Sequence, residues 1–157
     1  MNLLMGAQQS TIRWTDPWID PQLKRRQFQE LQSKLAEGIV FKNKDAPYTG
    51  GRPASGGAQL KYKFVETASV LVTAINDARS IGIGFIDRPG TTGNVAIPAN
   101  HSIPEIGSVV EVRYLYAMPE SLALYQPVYL GKRDDIAPTE CIVEQLKIRK
   151  NLEKEAA

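Results

Sequence analysis

Glu37, Lys61 and Lys63 are the residues whose types and order could do chemistry. They lie in "AEGIVFKNKDAPYTGGRPASGGAQLKYKF", residues 36 to 64. A carboxylate at a strand start can hold a divalent metal through oxygen. Two lysines one residue apart project from one strand face, roughly 7 Å apart, and can straddle one phosphate group. The glycine-rich loop between them lets backbone approach a ligand closely. Together these parts would hold a nucleotide phosphate and a metal. Phosphoryl or nucleotidyl transfer mostly needs such positioning and charge neutralisation. Taken singly, an acid before a strand or a K-x-K is more often a solvated surface feature.

The elements that must position these groups follow from pattern. "DPQLKRRQFQELQSKL" reads as a helix, with Asp20 able to cap the free first-turn amides and Pro21 suited to the first helical position. Phe28, Leu31 and Leu35 give it one apolar face. Gly38 breaks the helix, and "IVFK" favours a strand. "DAPYTGGRPASGG" is a loop, and "QLKYKFVETASVLV" returns to strand, with Leu60, Tyr62 and Phe64 opposite the lysines. Short β-like runs follow. "SIGIGFID", "GNVAIPA", "SVVEVRYLYA" and "SLALYQPVYLG" are separated by the turn signals "RPGTTG", "PEIG" and "MPES". In the last run Leu122, Leu124, Val128 and Leu130 are expected in phase. Roughly five strands in about 70 residues predict a small barrel of the OB type. Residues 1–19 read as irregular, and the end of the chain as a charged helical tail.

Composition narrows the class. The 157 residues are 43% hydrophobic and 23% charged, which fits a globular chain with a real core. Nineteen basic residues against seventeen acidic leave a net charge of +2, so any phosphate-binding surface must come from local clusters. Such clusters occur at Lys24–Arg26, at Lys42, Lys44, Arg52, Lys61 and Lys63, and at Lys147, Arg149 and Lys150. One cysteine, Cys141, excludes an intrachain disulfide and a cysteine-based zinc site. It reads as a small buried apolar residue. The expected setting is reducing and cytoplasmic, with no membrane span and no signal peptide. His101, the only histidine, reads as a surface loop residue. Tyr114, Tyr116, Tyr125 and Tyr129 could stack on bases or fill the core.

"EGIVFK" followed by "LKYKF" resembles motifs IV and V of the covalent nucleotidyltransferases: ATP-dependent DNA ligases, RNA ligases and capping enzymes. The intervening loop resembles that of a bacterial and phage-like branch of ATP-dependent DNA ligases. "GNVAIPANHSIPEIGSVVEVRYLYAMPESLALYQPVYLGKRDDI" resembles the OB domain after motif V in that branch. The resemblance spans about residues 20 to 148. It implies a mainly β chain with some α: a remnant of an adenylation domain over 1–63, an OB-fold barrel over 64–150, and a charged tail over 151–157. Glu37 would be the metal-binding acid. Lys61 and Lys63 would contact the nucleotide α-phosphate. Lys132 and Arg133, in "YLGKRDD", would fall at motif VI, whose basic residues orient the leaving pyrophosphate. Lys42 and Arg52 would be DNA or phosphate contacts. ATP, giving bound AMP, and Mg2+ are the implied cofactors, and nicked duplex DNA the implied partner.

The family's nucleophilic lysine sits in K-x-D-G, and these 157 residues contain no such motif. "KNKD" at 42 to 45 lies inside the motif IV segment and is no substitute. The chain alone is therefore expected to be incompetent for covalent catalysis, which needs a positioned amine. A second polypeptide could supply it, or the chain could be a non-catalytic nucleic-acid-binding module or a remnant. Leu23, Phe28, Leu31 and Leu35 are expected to leave apolar surface exposed.

Overall fold

The computed structural model describes residues 20–47, 50–51 and 57–149. The expectations for residues 1–19, for Arg52 and for the tail over 151–157 lie outside them.

Helix α1 runs Pro21–Ser33. The Asp20 carboxylate accepts hydrogen bonds from the amides of Gln22 and Leu23 at 2.8 and 3.0 Å, as the cap reading requires. The helix ends earlier than Gly38. Leu35 adopts a left-handed φ of 56°, and the Ala36 amide donates back to the Leu31 carbonyl. That closes the last turn as a Schellman cap, so no glycine is needed there.

Strands β1 (Gly38–Lys42) and β2 (Gln59–Lys63) form an antiparallel pair. Ile39 faces Tyr62 and Phe41 faces Leu60. Phe28 from α1 packs on this side, 5.3 Å from the Tyr62 ring and 5.0 Å from the Phe64 ring. Of the four helix residues expected to be exposed, Leu23 and Leu35 are, while Phe28 and Leu31 are half-buried; Val40, Phe41, Leu60 and Tyr62 are exposed as well.

The remaining strands are β3 (Glu66–Asn76), β4 (Ser80–Phe85), β5 (Arg88–Ala96), β6 (Val109–Tyr114), β7 (Tyr116–Ala117), β8 (Leu124–Tyr125) and β9 (Val128–Lys132). Five of them make one antiparallel sheet in the order β5-β4-β3-β6-β9. Its two edges, β5 and β9, contact each other, so the sheet curls into an OB-like, partly open barrel. The core follows period two. Ala68, Val70 and Val72 of β3, Ile81, Ile83 and Phe85 of β4, and Val110, Val112 and Tyr114 of β6 point inward. Each fully buried valine or isoleucine contributes about 1.5–3 kcal/mol.

Three local expectations are corrected. "QLKYKFVETASVLV" is two strands, because the chain breaks at Phe64 and Val65 between β2 and β3. "RPGTTG" is strand rather than turn: the β4–β5 reversal falls at Ile86 and Asp87, and Gly90 (φ 98°) lies within β5. Glycine is forced at the facing position, Gly84, where a Cβ would lie 2.5 Å from the Gly90 carbonyl oxygen. "SLALYQPVYLG" is also broken. Gln126 takes a left-handed φ of 54°, which flips the phase, so Tyr129 is buried while Val128 and Leu130 are exposed. Beyond β9 the described chain forms two 3-10 turns, Pro138–Glu140 and Val143–Gln145. Ile148 then bridges in parallel to Ala117. Cys141 is buried, as expected.

Candidate phosphate-binding hairpin

Register builds the site. Gly38 pairs with Lys63, Val40 with Lys61, and Lys42 with Gln59. Directly opposed residues share a face, so Lys42, Lys61 and Lys63 project together, away from the side α1 covers. Glu37 immediately precedes β1. Its carbonyl accepts from the Phe64 amide at 3.0 Å, which fixes it beside the end of β2. A shallow open cleft of about 220 Å³ lies here, lined by Glu37, Val40, Lys61, Tyr62 and Lys63 among others. The acid and the lysine pair, twenty-four residues apart in sequence at their nearest (37 and 61), thus meet at one cleft.

The Lys63 ammonium donates to the Gln126 side-chain oxygen at 2.6 Å, which ties the hairpin to the β8–β9 connection. Among the described residues Lys61 and Lys42 form no ion pair. Both are exposed and available to an anion. No group of three or more metal-ligating side chains occurs among the described residues. Glu37 is a single carboxylate. That fits Mg2+ held jointly with a nucleotide phosphate and waters, not an all-protein cage. The lysines fit the phosphate end of a nucleotide. The cleft is too open to enclose a base.

Lys132 and Arg133 are not brought to this cleft. They stand at the far end of β9, about 13 Å of strand beyond Val128. Lys132 pairs with Asp134 at 2.9 Å. Arg133 forms a fork with Asp135, two bonds of 2.7 Å, and approaches Glu111 at 3.5 Å. The hydrogen bond it donates to Asp134 pushes the Lys132 ammonium up from its ordinary value, and those it donates to Asp135 do the same for Arg133. The Arg133 hydrogen bonds hold the Asp135 carboxyl down at about 2, against 3.8 ordinarily. A depressed carboxylate stabilises the fold above its ordinary value and loses that contribution as pH falls through the lowered one. A carboxyl-carbon NMR titration should therefore place the Asp135 midpoint near 2. Arg133→Leu should move it up toward the ordinary range, with the backbone hydrogen bond at Asp135 still holding it down in part.

Several important groups were not foreseen. Lys147, which its sequence neighbours group with a surface basic cluster, is buried at 7% exposure. Its ammonium donates to the Ala36 carbonyl at 3.2 Å and the Phe64 carbonyl at 2.7 Å, and its backbone amide donates to the Tyr114 hydroxyl at 2.9 Å. Burial pushes its pKa down, while Glu66 and Glu37 oppose the shift. The only hint in the sequence is the apolar flanking of "QLKIR". Arg149 lies over the Tyr116 ring, 5.3 Å from its centre, and Tyr116 stacks on Tyr125. Tyr114 and Tyr129 are core residues, and His101 meets Tyr129 edge-on from its loop.

No family model matches the chain, and no curated protein matches it. Solved structures do. One, from work on "DNA binding with a minimal scaffold: Structure-function analysis of Lig E DNA ligases", superposes with a TM-score of 0.55 at 17% identity. It covers 69% of this chain and 45% of that one. The chain has a DNA-ligase-like fold. Two more matches are the ligase domain of LigD from M. tuberculosis and mycobacterial DNA ligase D complexed with ATP and MES. Their TM-scores are 0.41 and 0.40 at 21% identity, each over 75% of this chain and 50% of that one. Those scores are too low to align residues. The ligase-like chain spans about half the length of the structures it matches. No helix among its described residues is long and apolar enough to cross a membrane.

Proposed function

We propose that this chain is the motif IV–V and barrel portion of an ATP-dependent DNA-ligase-type nucleotidyltransferase. The observation that carries this is the register of β1 and β2, which sets Glu37 beside Lys63 and puts Lys61 and Lys63 on one open face. Lys61 and Lys63 hold the nucleotide α-phosphate, and Glu37 holds Mg2+ together with that phosphate. Bound Mg2+ would neutralise charge that develops on the phosphate. The barrel grips nicked duplex DNA, with Lys42 and Arg52 reaching further backbone phosphates. Lys132 and Arg133 are assigned to the leaving pyrophosphate. That role requires them to exchange Asp134 and Asp135 for phosphate and to approach the cleft from the far end of β9. Lysyl-AMP formation needs an amine nucleophile from outside these residues, since they hold no K-x-D-G.

The missing lysine and the open cleft favour a second reading: a module that binds nucleic acid without chemistry of its own. Binding of the chain to nicked duplex across a salt series tests the shared part. The Lys61→Ala/Lys63→Ala double variant should weaken binding about tenfold or more. Its log–log salt slope should become shallower by about 0.9 for each phosphate that is no longer neutralised. Equal affinity and equal slope for the two proteins would remove the hairpin from both readings. Nucleotide binding separates the two: protection of Lys61 from acylation by Mg2+–ATP is expected only of the nucleotidyltransferase.

A further inference from the structure

Tyr116 and Tyr125 face each other across β7 and β8. Their rings lie 4.8 Å apart with 9° between planes. Tyr125 covers one face of Tyr116, so the Arg149 guanidinium takes the other. The stack is closed at one end and open at the other. Tyr116 is 8% exposed and Tyr125 is 42% exposed. No third ring stacks on Tyr125 among the described residues.

One cation lies near the open end, and a second caps the closed one. The residue after Tyr125 is Gln126, whose side chain holds the Lys63 ammonium at 2.6 Å. Arg149 is exposed and flanks the stack behind Tyr116. Neither cation forms an ion pair with a carboxylate among the described residues. An aromatic face with an uncompensated cation nearby suits a ligand that is flat and anionic at once. A base inside a continuous duplex has both faces covered by its neighbours. Only a base at a gap, an end or a single strand offers a free one.

We infer that the open face of Tyr125 is a stacking site for an unpaired nucleobase, with Lys63 meeting a flanking phosphate. Arg149 and Tyr116 pre-order the ring, so little side-chain freedom is lost on binding. The site rests on the nucleic-acid-binding reading and adds to it a preference for interrupted over continuous duplex.

The test uses a duplex with a one-nucleotide gap opposite 2-aminopurine, beside the same duplex fully paired, at low salt. Binding of the unsubstituted chain should quench the 2-aminopurine emission. Tyr125→Leu should abolish the quench and weaken gapped-duplex binding by about fivefold to a hundredfold, with paired-duplex affinity unchanged. Tyr125→Phe should retain both the quench and the affinity. Equal binding of gapped duplex by Tyr125→Leu and the unsubstituted chain would overturn this site while leaving the lysine hairpin standing. Failure of the unsubstituted chain to bind either duplex would overturn both. Tyr125→Trp gives an independent readout: its emission should fall on gapped but not on paired duplex, and no change on either overturns the site.

Discussion

Lys147→Met is expected to release the β1–β2 hairpin from the barrel while the barrel stays folded. One ammonium grips the carbonyl before Glu37 and the carbonyl after Lys63, so it fixes both ends of the chemistry-bearing segment. Methionine keeps an unbranched stem of similar reach but donates nothing. Two carbonyls lose their partner, at about 1–3 kcal/mol each where water cannot replace it. A loss of about 2 kcal/mol or more is roughly a thirtyfold rise in local opening. Hydrogen exchange should therefore speed at least that much over residues 38–42 and 59–63 and stay unchanged in β3, β4 and β6. Unaltered exchange in the hairpin would mean the ammonium is not what holds it.

The same variant separates a pH effect. Burial lowers the Lys147 pKa from its ordinary 10.5, against the pull of Glu66 and Glu37. Between the lowered value and 10.5 the unfolded chain holds more protons than the folded one. Stability from this group therefore rises with pH through that window. Tyr114, raised above its ordinary 10.0 by burial, works in the opposite direction above pH 10. The two effects stay apart below that pH. Denaturant titrations from neutral pH toward 10 should show the gap between the native chain and Lys147→Met widening with pH. A gap that stays constant would mean Lys147 titrates as an ordinary lysine.

Wherever side-chain identity alone selects a conformation, the fold was legible. Asp20 and Pro21 start a helix because one accepts from free amides and the other lacks an amide to satisfy. Alternation in "SVVEVRY" buries Val110, Val112 and Tyr114 because strand side chains alternate by geometry. Reading failed where backbone conformation decides. Nothing in Gln126 or Leu35 signals a left-handed residue, and each moved an element boundary. Of the candidate site, Glu37, Lys61 and Lys63 were singled out by their types and order, and the strand register brings them to one cleft. Lys147 was missed because a buried lysine and a solvated one read alike. Its partners are main-chain carbonyls 111 and 83 residues away, which no side-chain pattern reports.

Gly38 shows how one residue can be read correctly as special and for the wrong reason. It is not the helix terminator, since Leu35 already ends α1. It sits opposite Lys63 where a Cβ would collide with the Tyr62 carbonyl oxygen and come within 3.0 Å of the Lys63 Cα. Both obstacles are backbone, so no rotamer change relieves them. Gly38→Ala is expected to pry β1 from β2 at the end that carries Glu37 and Lys63, at a cost of about 1–3 kcal/mol or more. Cross-strand amide contacts between Ile39 and Tyr62 should weaken in NMR spectra. Affinity for nicked duplex should fall at least as far as in the Lys61→Ala/Lys63→Ala variant, although no charge has been removed. Gly50→Ala is the control, because a Cβ there meets nothing within 4 Å. If Gly38→Ala keeps both the strand pairing and the affinity, the hairpin tolerates a displaced Glu37. The acid and the lysines would then act independently, and the phosphate site would reduce to two exposed cations on a strand.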